Sequence, residues 1–417
     1  MKAVILAAGK GTRMEPLSCT RPKPMIPVAN RPFLMHVFDT LEGLVDEVFI
    51  IVHKDDTKTP VLGKSYQSLS LSYIIQDEQQ GTGHALFCAK EYLSEPFLVV
   101  NGDCLFPKED LALCITKPSI LAREVSDLSR YGAVFQDGMG KLTFILEKPK
   151  EGGAGYANAG VYMLTPDIFS FPPPLSPRGE YEITDMLNAY AKQHAMSVIN
   201  ARQKHYSLSY PWDFFSLNEH LLSRITTSHI EGKIDPRVEI DGPIIVGKGT
   251  IIRGITRIEG PSIIGEKCVI GPKAKIRRYT SIGDNCMIDC EVKNSLLYDH
   301  ATSGHDNSTI LDSIIGEWTN IAAGTITANL RHDGNSIFSW VKGKKTCTGL
   351  RKLGAIIGDH VHIGIHTGIM PGVKIWPHLW TWPHECVYED TMTKEQAEWK
   401  KQFWVPPSYF SDKSKKS

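Results

Sequence analysis

The sequence has no excess of charge of either sign, no long apolar run and no dense cysteine pattern, and each absence excludes a class of protein. Lys plus Arg and Asp plus Glu both number 46, so the 417-residue chain has a formal net charge of zero. It lacks the basic stripe that would neutralise many phosphates. No segment has the apolar length that spans a bilayer. We therefore expect a cytoplasmic protein with neither nucleic acid nor membrane as a partner.

Metal-binding and secretory patterns are also missing. The nine cysteines are scattered, and the close pair Cys286 and Cys290 has no second pair nearby to complete a zinc site. Such usage is typical of free thiols in a reducing compartment. The apolar opening MKAVILAAGKGTR passes directly into Gly, Lys and Arg without a cleavage-like stretch. We interpret it as a buried first strand.

The first half of the chain has the pattern of an α/β domain. The total length exceeds what one hydrophobic core usually serves, so two domains are expected. Up to about residue 225, short apolar runs such as FLVV alternate with helical stretches such as HALFCAKEYL. This alternation predicts βαβ units and a mostly parallel sheet, covered on both faces. We place the first domain at residues 1–225.

The second half has a different period. An aliphatic residue returns at every sixth position in the series Ile234, Ile240, Val246, Ile252, Ile258, Ile264, Ile270, Ile276, Ile282 and Ile288. A period of six fits neither a helix nor an ordinary strand. It is typical of hexapeptide repeats in a parallel β-helix, where the repeated aliphatic side chain fills the shaft.

The repeat has interruptions and a predicted end. Its phase breaks at Asn294 and resumes at Ile315, and residues 328–352 read as a loop outside the coil. We place the β-helix at residues 226–390. The tail 391–417 is predicted to be a helix that covers the open end of the stack.

A glycine loop and a lysine follow the predicted first strand. Gly9 and Gly11 come directly after AVILAA, then Arg13, then Lys23 between two prolines. A lone Gly-x-Gly is weak support for a nucleotide site, and the Walker spacing is absent. The order strand, glycines, arginine and fixed lysine is stronger, because glycine amides and cationic side chains together suit phosphate groups.

This opening resembles the signature of the sugar-nucleotide pyrophosphorylase family, and the resemblance covers the whole first domain. It implies a Rossmann-like nucleotidyltransferase fold, Mg²⁺ as cofactor, and a nucleoside triphosphate and a sugar-1-phosphate as substrates. Arg13, Lys23 and Asp103 would be catalytic, and Asp103 and Asp213 would hold the metal. Asp103 also follows the strand-like VVNG, where ligands bind in open α/β sheets. The implied nucleotide contacts are Leu6, Ala8, Gly9, Gly11, Gln76, Gly81 and Thr82, and the implied sugar-phosphate contacts are Gly132, Glu147, Lys148 and Asn158.

The second half resembles the acetyltransferase domain of bifunctional glucosamine-1-phosphate acetyltransferase/N-acetylglucosamine-1-phosphate uridylyltransferases, especially archaeal ones. The segments SGHDNSTILDSIIG and TNIAAGTITANL carry the resemblance. It implies a left-handed β-helix and a base at His305 that takes a proton from the glucosamine amine as the amine attacks acetyl-CoA. The other implied contacts are Arg277 and Lys293 with the sugar phosphate, Asn320 and Asn329 with the sugar and acetyl group, and Ala323 and Ile365 with acetyl-CoA.

Two departures from this family stand in the same region. Ser308 occupies the position of the usual tyrosine three residues beyond the histidine. The stretch 305–312 is longer than in the family by one position, and the coil around 289–293 is shorter by two. Because a slip along a strand turns a side chain to the opposite face, these changes bear on where His305 lies.

Three functional hypotheses follow. The first is a bifunctional enzyme that acetylates glucosamine-1-phosphate and then uridylylates the product. The second is a monofunctional glucose-1-phosphate thymidylyl- or uridylyltransferase on a structural β-helix, and the third is a non-catalytic regulatory subunit. UTP and dTTP remain open, since their bases differ by one methyl group. We expect a homotrimer through the β-helix in each case.

Overall fold

The computed structural model describes residues 1–392 and divides into two compact units. The first contains Met1–Met14 and Arg21–Asp213, and the second contains Glu15–Thr20 and the chain from Phe214 onward. The helix Asp213–Ser223 thus belongs mostly to the second unit, whereas the sequence boundary at 225 placed it in the first. The predicted helical tail falls, from residue 393, outside the described residues. Within residues 1–392, no helix is long and apolar enough to cross a membrane.

The first unit is built from alternating strands and helices, as the sequence predicted. Its strands are β1 Lys2–Leu6, β2 Pro27–Val28, β3 Arg31–Pro32, β4 Glu47–His53, β5 Ser65–Tyr66, β6 Leu69–Gln76, β7 Phe97–Asn101, β8 Cys104–Leu105, β9 Ser119–Val125, β10 Gly132–Gln136, β11 Leu142–Glu147, β12 Gly155–Leu164, β13 Ser197–Asn200 and β14 Tyr206–Ser207. The helices are α1 Phe33–Leu41, α2 Thr82–Phe87, α3 Lys108–Cys114 and α4 Ile183–Ala191, with α5 Asp213–Ser223 at the boundary.

The sheet has a switch point at its centre. Its main order is β11-β10-β12-β7-β1-β4-β6-β5, and β7, β1, β4 and β6 run parallel. The chain moves outward from β1 to β6 and then returns to β7 on the other side of β1. Ligands of such sheets bind beyond the carboxyl ends of the strands at this reversal. The glycine loop follows β1 and Asp103 follows β7, so both lie at the switch point.

Burial explains the apolar runs of the central strands. Val4, Val99 and Ile50 are fully buried. The residues directly before and after each of them, whose side chains point to the opposite face of the sheet, are buried as well. Helices cover each face, so these strands have no solvent side that would call for alternating polar residues.

The second unit is a parallel β-helix with three flat faces, which confirms the fold predicted from the six-residue period. The first face contains His229–Ile230, Ile244–Val246, Ser262–Ile264, Ser281–Ile282, Leu296–Leu297, Ile314–Ile315, Ile356–Ile357 and Lys374–Ile375. The second contains Lys233–Ile234, Ile251–Ile252, Val269–Ile270, Met287–Ile288, Thr302–Ser303, Asn320–Ile321 and His362–Ile363. The third contains Glu239–Asp241, Arg257–Glu259, Lys275–Ile276, Glu291–Lys293, Thr309–Leu311, Ile326–Thr327, Gly368–Ile369 and Cys386–Val387.

Most period-six side chains fill the shaft. Ile264, Ile270, Ile276 and Ile282 are completely buried and belong to one apolar cluster. Ile240, near the start of the stack, is 38% exposed although it keeps the same period. The period therefore predicts the direction of a side chain, while the number of coils stacked above and below it decides its burial.

Coil lengths change where the sequence phase breaks. A regular coil takes the chain from Ile244 to its partner Ser262, whereas the shorter coil that begins at Ser281 returns to the first face at Leu296. Most of the shortening falls between the second and third faces. Only two positions separate Met287–Ile288 from Glu291–Lys293 there, where the preceding coil has four.

The predicted loop 328–352 is a real excursion with its own structure. Ile314 pairs with Ile356 on the next coil, so the chain between them makes one coil and a long insertion. The insertion contains an antiparallel hairpin, Phe338–Val341 with Lys344–Cys347. The sequence analysis did not predict this hairpin. Lys374 Nζ donates to the Trp340 carbonyl at 2.6 Å and attaches it to the coil.

Candidate active sites

The glycine loop after β1 leaves its backbone open to a ligand. A Cβ on Gly9 would meet no atom within 4 Å, so packing does not require glycine there. Gly11 has a φ of +64° and its carbonyl accepts the Met14 N–H at 2.7 Å, which closes a tight turn. Gln79 Nε2 donates to the Ala8 carbonyl at 2.6 Å and holds the loop from the opposite side.

Lys23 and Asp103 form an ion pair at the switch point. Lys23 Nζ lies 2.7 Å from Asp103 Oδ2, and only 12% of the lysine side chain is exposed. Desolvation by itself would raise the pKa of Asp103, but the Lys23 ammonium, with Arg13 behind it, outweighs this effect and lowers that pKa below its usual value. Asp103 is therefore an ionised carboxylate.

Arg13 and Asp213 stand beside this pair. The Arg13 guanidinium carbon lies 5.7 Å from the centre of the Tyr210 ring, which stacks on Trp212 at 4.7 Å. Asp213 Oδ2 accepts the backbone N–H groups of Ser209 at 2.6 Å and Tyr210 at 2.7 Å. Burial raises the pKa of Asp213, against the N–H donors and the charges of Lys23 and Arg13, which lower it.

This donor set fits Mg²⁺ better than a metal held by protein alone. Within residues 1–392, no group of three or more His, Cys, Asp or Glu side chains converges as a metal site. Asp103 and Asp213 instead offer two carboxylates that share the same two cations. Mg²⁺ characteristically takes one or two carboxylates and completes its shell with substrate phosphates and water.

A cavity of about 350 Å³ joins the switch point to the strands β10 to β12. Seven of the predicted site residues line it: Arg13, Thr82, Asp103, Gly132, Glu147, Lys148 and Asn158. Lys23, Asp213 and the glycine loop lie outside its lining, although Lys23 contacts the lining residue Asp103.

The predicted nucleotide contacts Gln76, Gly81 and Thr82 lie next to α4 and the chain before it. Gln76 is buried, and its Nε2 lies 3.2 Å from the Gly81 carbonyl and 2.9 Å from His84 Nδ1. Gly81 has a φ of +114°, and a Cβ there would lie 2.5 Å from the Tyr181 carbonyl oxygen. Only glycine suits this position. The Thr82 hydroxyl accepts the Ile183 N–H at 3.1 Å.

The predicted sugar contacts Gly132, Glu147 and Asn158 lie together in the cavity. A Cβ on Gly132 would lie 2.8 Å from Glu147 Oε2, so glycine leaves room for that carboxylate. Asn158 Nδ2 donates to the Tyr162 hydroxyl at 2.7 Å, and its Oδ1 accepts the Gly160 N–H. Burial, and then the nearby Glu182 carboxylate, raise the pKa of Glu147.

In the β-helix, His305 lies on the connection from the second face to the third. Its side chain is exposed, and the next residue, Asp306, forms a 2.8 Å ion pair with Lys273. This connection carries the extra residue seen in the sequence, since five positions separate Thr302–Ser303 from Thr309–Leu311. Ser308 points inward, is 2% exposed, and donates to the Ala322 carbonyl at 3.2 Å.

A buried carboxylate links two of the predicted acetyltransferase residues. Asp312, 4% exposed, accepts hydrogen bonds from Asn329 Nδ2 and, at 2.7 Å, from Asn294 Nδ2. Lys293 Nζ lies 3.9 Å from the same carboxylate. Lys293 and Asn329 come from coils on either side of Asp312, so this side chain fixes their separation.

The remaining predicted residues of this region lie on other parts of the coil. Arg277 stands between Glu291, at 3.4 Å, and Glu259, at 3.7 Å. Asn320 is exposed on the second face and pairs with His362. Ala323 and Ile365 lie at the same corner in successive coils, because the N–H of His366, the residue after Ile365, donates to the Ala323 carbonyl at 2.8 Å. Ile365 is 44% exposed.

Comparison with known proteins finds relatives that match both units of the chain. Residues 2–212 match the Nucleotidyl transferase family. The Bifunctional protein GlmU of Methanococcus maripaludis strain C7 is 41% identical over 381 residues, 90% of this chain and 92% of that protein. That of strain C5 is 35% identical over 407 residues, 96% and 98% of the two chains. A Bifunctional sugar-1-phosphate nucleotidylyltransferase/acetyltransferase of Sulfurisphaera tokodaii is 36% identical over 388 residues, which cover 90% of this chain and 94% of that protein. The chain belongs to the bifunctional GlmU family.

Membership of the GlmU family confirms the resemblance drawn from the sequence, and the matches extend through the β-helix as well as the first unit. The chain is thus an enzyme of the nucleotidylyltransferase class, as the sequence predicted. The roles of individual residues stay predictions. Ser308 in particular remains a departure, because its buried hydroxyl is committed to a backbone carbonyl of the next coil.

Sequence reasoning missed several side chains that line the GlmU-type cavity. Arg178 bonds Glu182 through both its Nε, at 2.9 Å, and its NH2 group. Arg123 and His205 also line the cavity. Arg178 and Glu182 sit in RGEYEIT, four residues apart, a spacing that allows a local ion pair. Arg123 and His205 lie far apart along the chain, and no sequence signal joins them.

Proposed function

We propose that the first unit transfers a uridylyl group from UTP to N-acetylglucosamine-1-phosphate, releasing pyrophosphate and forming UDP-N-acetylglucosamine. The supporting observation is the meeting of two cations and two carboxylates at the switch point of the sheet. Lys23 contacts Asp103 directly. The positive charges of Lys23 and Arg13 favour the ionised form of both Asp103 and Asp213 by lowering their pKa values. A regulatory subunit has no need of this arrangement.

The chemistry requires positioning and charge rather than a covalent nucleophile. An oxygen of the sugar-1-phosphate attacks the α-phosphorus in line, and the bond to the pyrophosphate oxygen breaks. Lys23 stabilises the charge that gathers at the α-phosphate, and Arg13 binds the departing β- and γ-phosphates. Gly132, Glu147 and Asn158 hold the sugar, with Lys148 at its phosphate. Mg²⁺ held by Asp103 and Asp213 would neutralise phosphate charge.

Lys23→Ala tests this assignment. Pyrophosphate release from UTP and N-acetylglucosamine-1-phosphate is expected to fall by about 10²- to 10³-fold, as for other preorganised transition-state donors. Lys23→Arg is not expected to restore it, because a planar guanidinium cannot replace a compact ammonium. Lys54→Ala removes an exposed lysine of the same unit away from the glycine loop and is the control. Equal rates in wild type and Lys23→Ala would contradict the assignment, and running the assay with dTTP decides between the two pyrimidine nucleotides.

We also propose that the β-helix transfers an acetyl group from acetyl-CoA to glucosamine-1-phosphate. The amine nitrogen attacks the thioester carbonyl and the amine proton passes to His305, while the carbon–sulfur bond breaks and coenzyme A leaves as a thiolate that takes up a proton to become the free thiol. A base so placed contributes about 10²- to 10⁴-fold. The exposed position of His305, and the buried Asp312 that ties Asn329 to the Lys293 coil, support this proposal. The product is then the substrate of the first unit.

The assembly and location that accompany this function are also proposals. Flat β-helix faces associate by one repeated contact, and such heterologous contacts close into rings. We infer a homotrimer that acts in the cytoplasm. Light scattering during size-exclusion chromatography measures the mass directly, and a monomeric mass would contradict the trimer.

A further inference from the structure

Arg123 is a cation of the cavity wall that no carboxylate neutralises within the described part of the chain. It lies on β9 and lines the same cavity as Asp103 and Glu147. Its guanidinium carbon is 4.5 Å from the centre of the Tyr131 ring. Its Nε is buried without a hydrogen-bond partner, and within residues 1–392 no carboxylate oxygen lies within 4.0 Å of it.

A second arginine of this cavity, Arg178, shows the contrast. Arg178 is paired with Glu182, which also accepts the Ser176 hydroxyl at 3.0 Å. That arginine is neutralised by its own chain. Arg123 has only an aromatic ring, which attracts a cation but leaves its N–H donors free.

His205 beside Arg123 does not supply a counter-charge. Burial, and then the positive charge of Arg123, lower the pKa of His205 to about 4, so its ring is neutral near pH 7. The ring packs on Phe106 at 5.1 Å, next to the pairing of β8 with β14. Arg123 therefore keeps its positive charge beside one aromatic ring and one neutral histidine.

A partly desolvated, unpaired guanidinium is costly unless an anion joins it. The position of Arg123 indicates which substrate brings that anion. Arg123 pairs across the sheet with Ala157, the residue before Asn158, and Tyr131 precedes Gly132. Both neighbours belong to the predicted sugar end of the cavity. A sugar-1-phosphate carries its negative charge on a phosphate that a planar guanidinium can bind through two N–H groups.

We propose that Arg123 binds the phosphate of the sugar-1-phosphate and is a specificity-determining residue for that substrate. The inference rests on the proposed nucleotidyl transfer. It separates two phosphate sites in one cavity: Lys23 and Arg13 serve the triphosphate, and Arg123, with Lys148, serves the attacking phosphate.

Arg123→Gln tests the proposal, because glutamine removes the charge and retains a polar side chain. The KM for N-acetylglucosamine-1-phosphate is expected to rise about 10- to 100-fold, the value of lost charge-assisted hydrogen bonds, with the KM for UTP within about 2-fold. Arg123→Lys is expected to fall between. Arg202→Gln removes the same charge from an exposed position of the same unit and serves as the control.

An unchanged KM for the sugar phosphate in Arg123→Gln would overturn the proposal, and so would an equal rise in the KM for UTP, since that assigns Arg123 to the triphosphate. Calorimetric titration of each protein with N-acetylglucosamine-1-phosphate, in the presence of Mg²⁺ and α,β-methylene-UTP, gives a readout that needs no turnover. If wild type released no pyrophosphate, the proposed function would fail, while weaker binding by Arg123→Gln than by Arg202→Gln would still support the phosphate contact.

Discussion

Single residues divide into those that meet substrate and those that fix their neighbours. Asp312 belongs to the second kind, because its buried carboxylate bonds Asn329 and Asn294 and faces Lys293. Asp312→Asn keeps the backbone, since asparagine tolerates a φ of +45° as well as aspartate does. It replaces an acceptor with a donor that faces two amide donors.

We expect Asp312→Asn to lower acetyl transfer by about 10-fold or more while uridylyl transfer stays unchanged, because one of the two hydrogen bonds is lost and the other no longer involves a charged acceptor. Steady-state release of free thiol gives kcat and KM separately. Asp306→Asn, which breaks an exposed ion pair next to His305, is the matched control and should change the rate of acetyl transfer little. Equal rates for the two variants would show that Asp312 has no positioning role.

The lowered pKa of His205 predicts how the stability of the protein depends on pH. Burial and Arg123 lower its pKa from the ordinary 6.5 to about 4. Between these two values the unfolded chain binds this proton and the folded chain does not, so stability falls as pH falls through that window. At about 1.4 kcal/mol per pKa unit, the loss is on the order of 3 kcal/mol when complete.

The apparent melting temperature of the wild type should therefore decrease from about pH 7 to about pH 4.5 by more than that of His205→Gln. The difference between the two proteins, rather than either curve alone, isolates this histidine from the carboxylates that titrate lower. Parallel curves would contradict the predicted shift.

At the scale of elements, the β-helix shaft is stabilised by apolar side chains that recur in register. Ile282 is completely buried between Ile264 and Leu297 on the first face. Truncation leaves a cavity between closely stacked coils, and Ile282→Ala should cost about 2–5 kcal/mol of unfolding free energy.

Ile240→Ala provides the comparison, because Ile240 has the same residue type and period but is 38% exposed. Ile240→Ala should lower the free energy of unfolding by well under half the amount expected for Ile282→Ala. Urea unfolding followed by circular dichroism measures both, and a similar loss in the two variants would show that the shaft does not depend on burial at these positions.

The same elements show what the sequence predicts and what it cannot. The six-residue period identifies the faces because each repeat makes one side of a coil, and local spacing suffices. The break in the repeat is visible in the sequence because the coil around residues 289–293 is too short. The hairpin 338–347 was not predicted, because its two strands pair with each other and do not follow the repeat. Contacts such as Arg123 with Tyr131 and His205 depend on strand order in the sheet, so spacing along the chain does not reveal them.

At the scale of the whole molecule, the proposed function joins two successive reactions in one chain, each in its own unit. The residues named for each candidate site belong to a single unit: Asp103, Lys23 and Arg13 to the first, and His305, Asp312 and Asn329 to the second. Damage to one site is therefore expected to leave the other reaction running.

The most direct test of this central claim is acetyl transfer from acetyl-CoA to glucosamine-1-phosphate, followed as free thiol released, for wild type and His305→Ala. The exposed position of His305 means that the substitution should not disturb the fold. We expect the wild type to release thiol, His305→Ala to release it about 10²- to 10⁴-fold more slowly, and both proteins to release pyrophosphate from UTP and N-acetylglucosamine-1-phosphate at the same rate. Thiol release by wild type no faster than without enzyme, or equal in the two proteins, would contradict this claim.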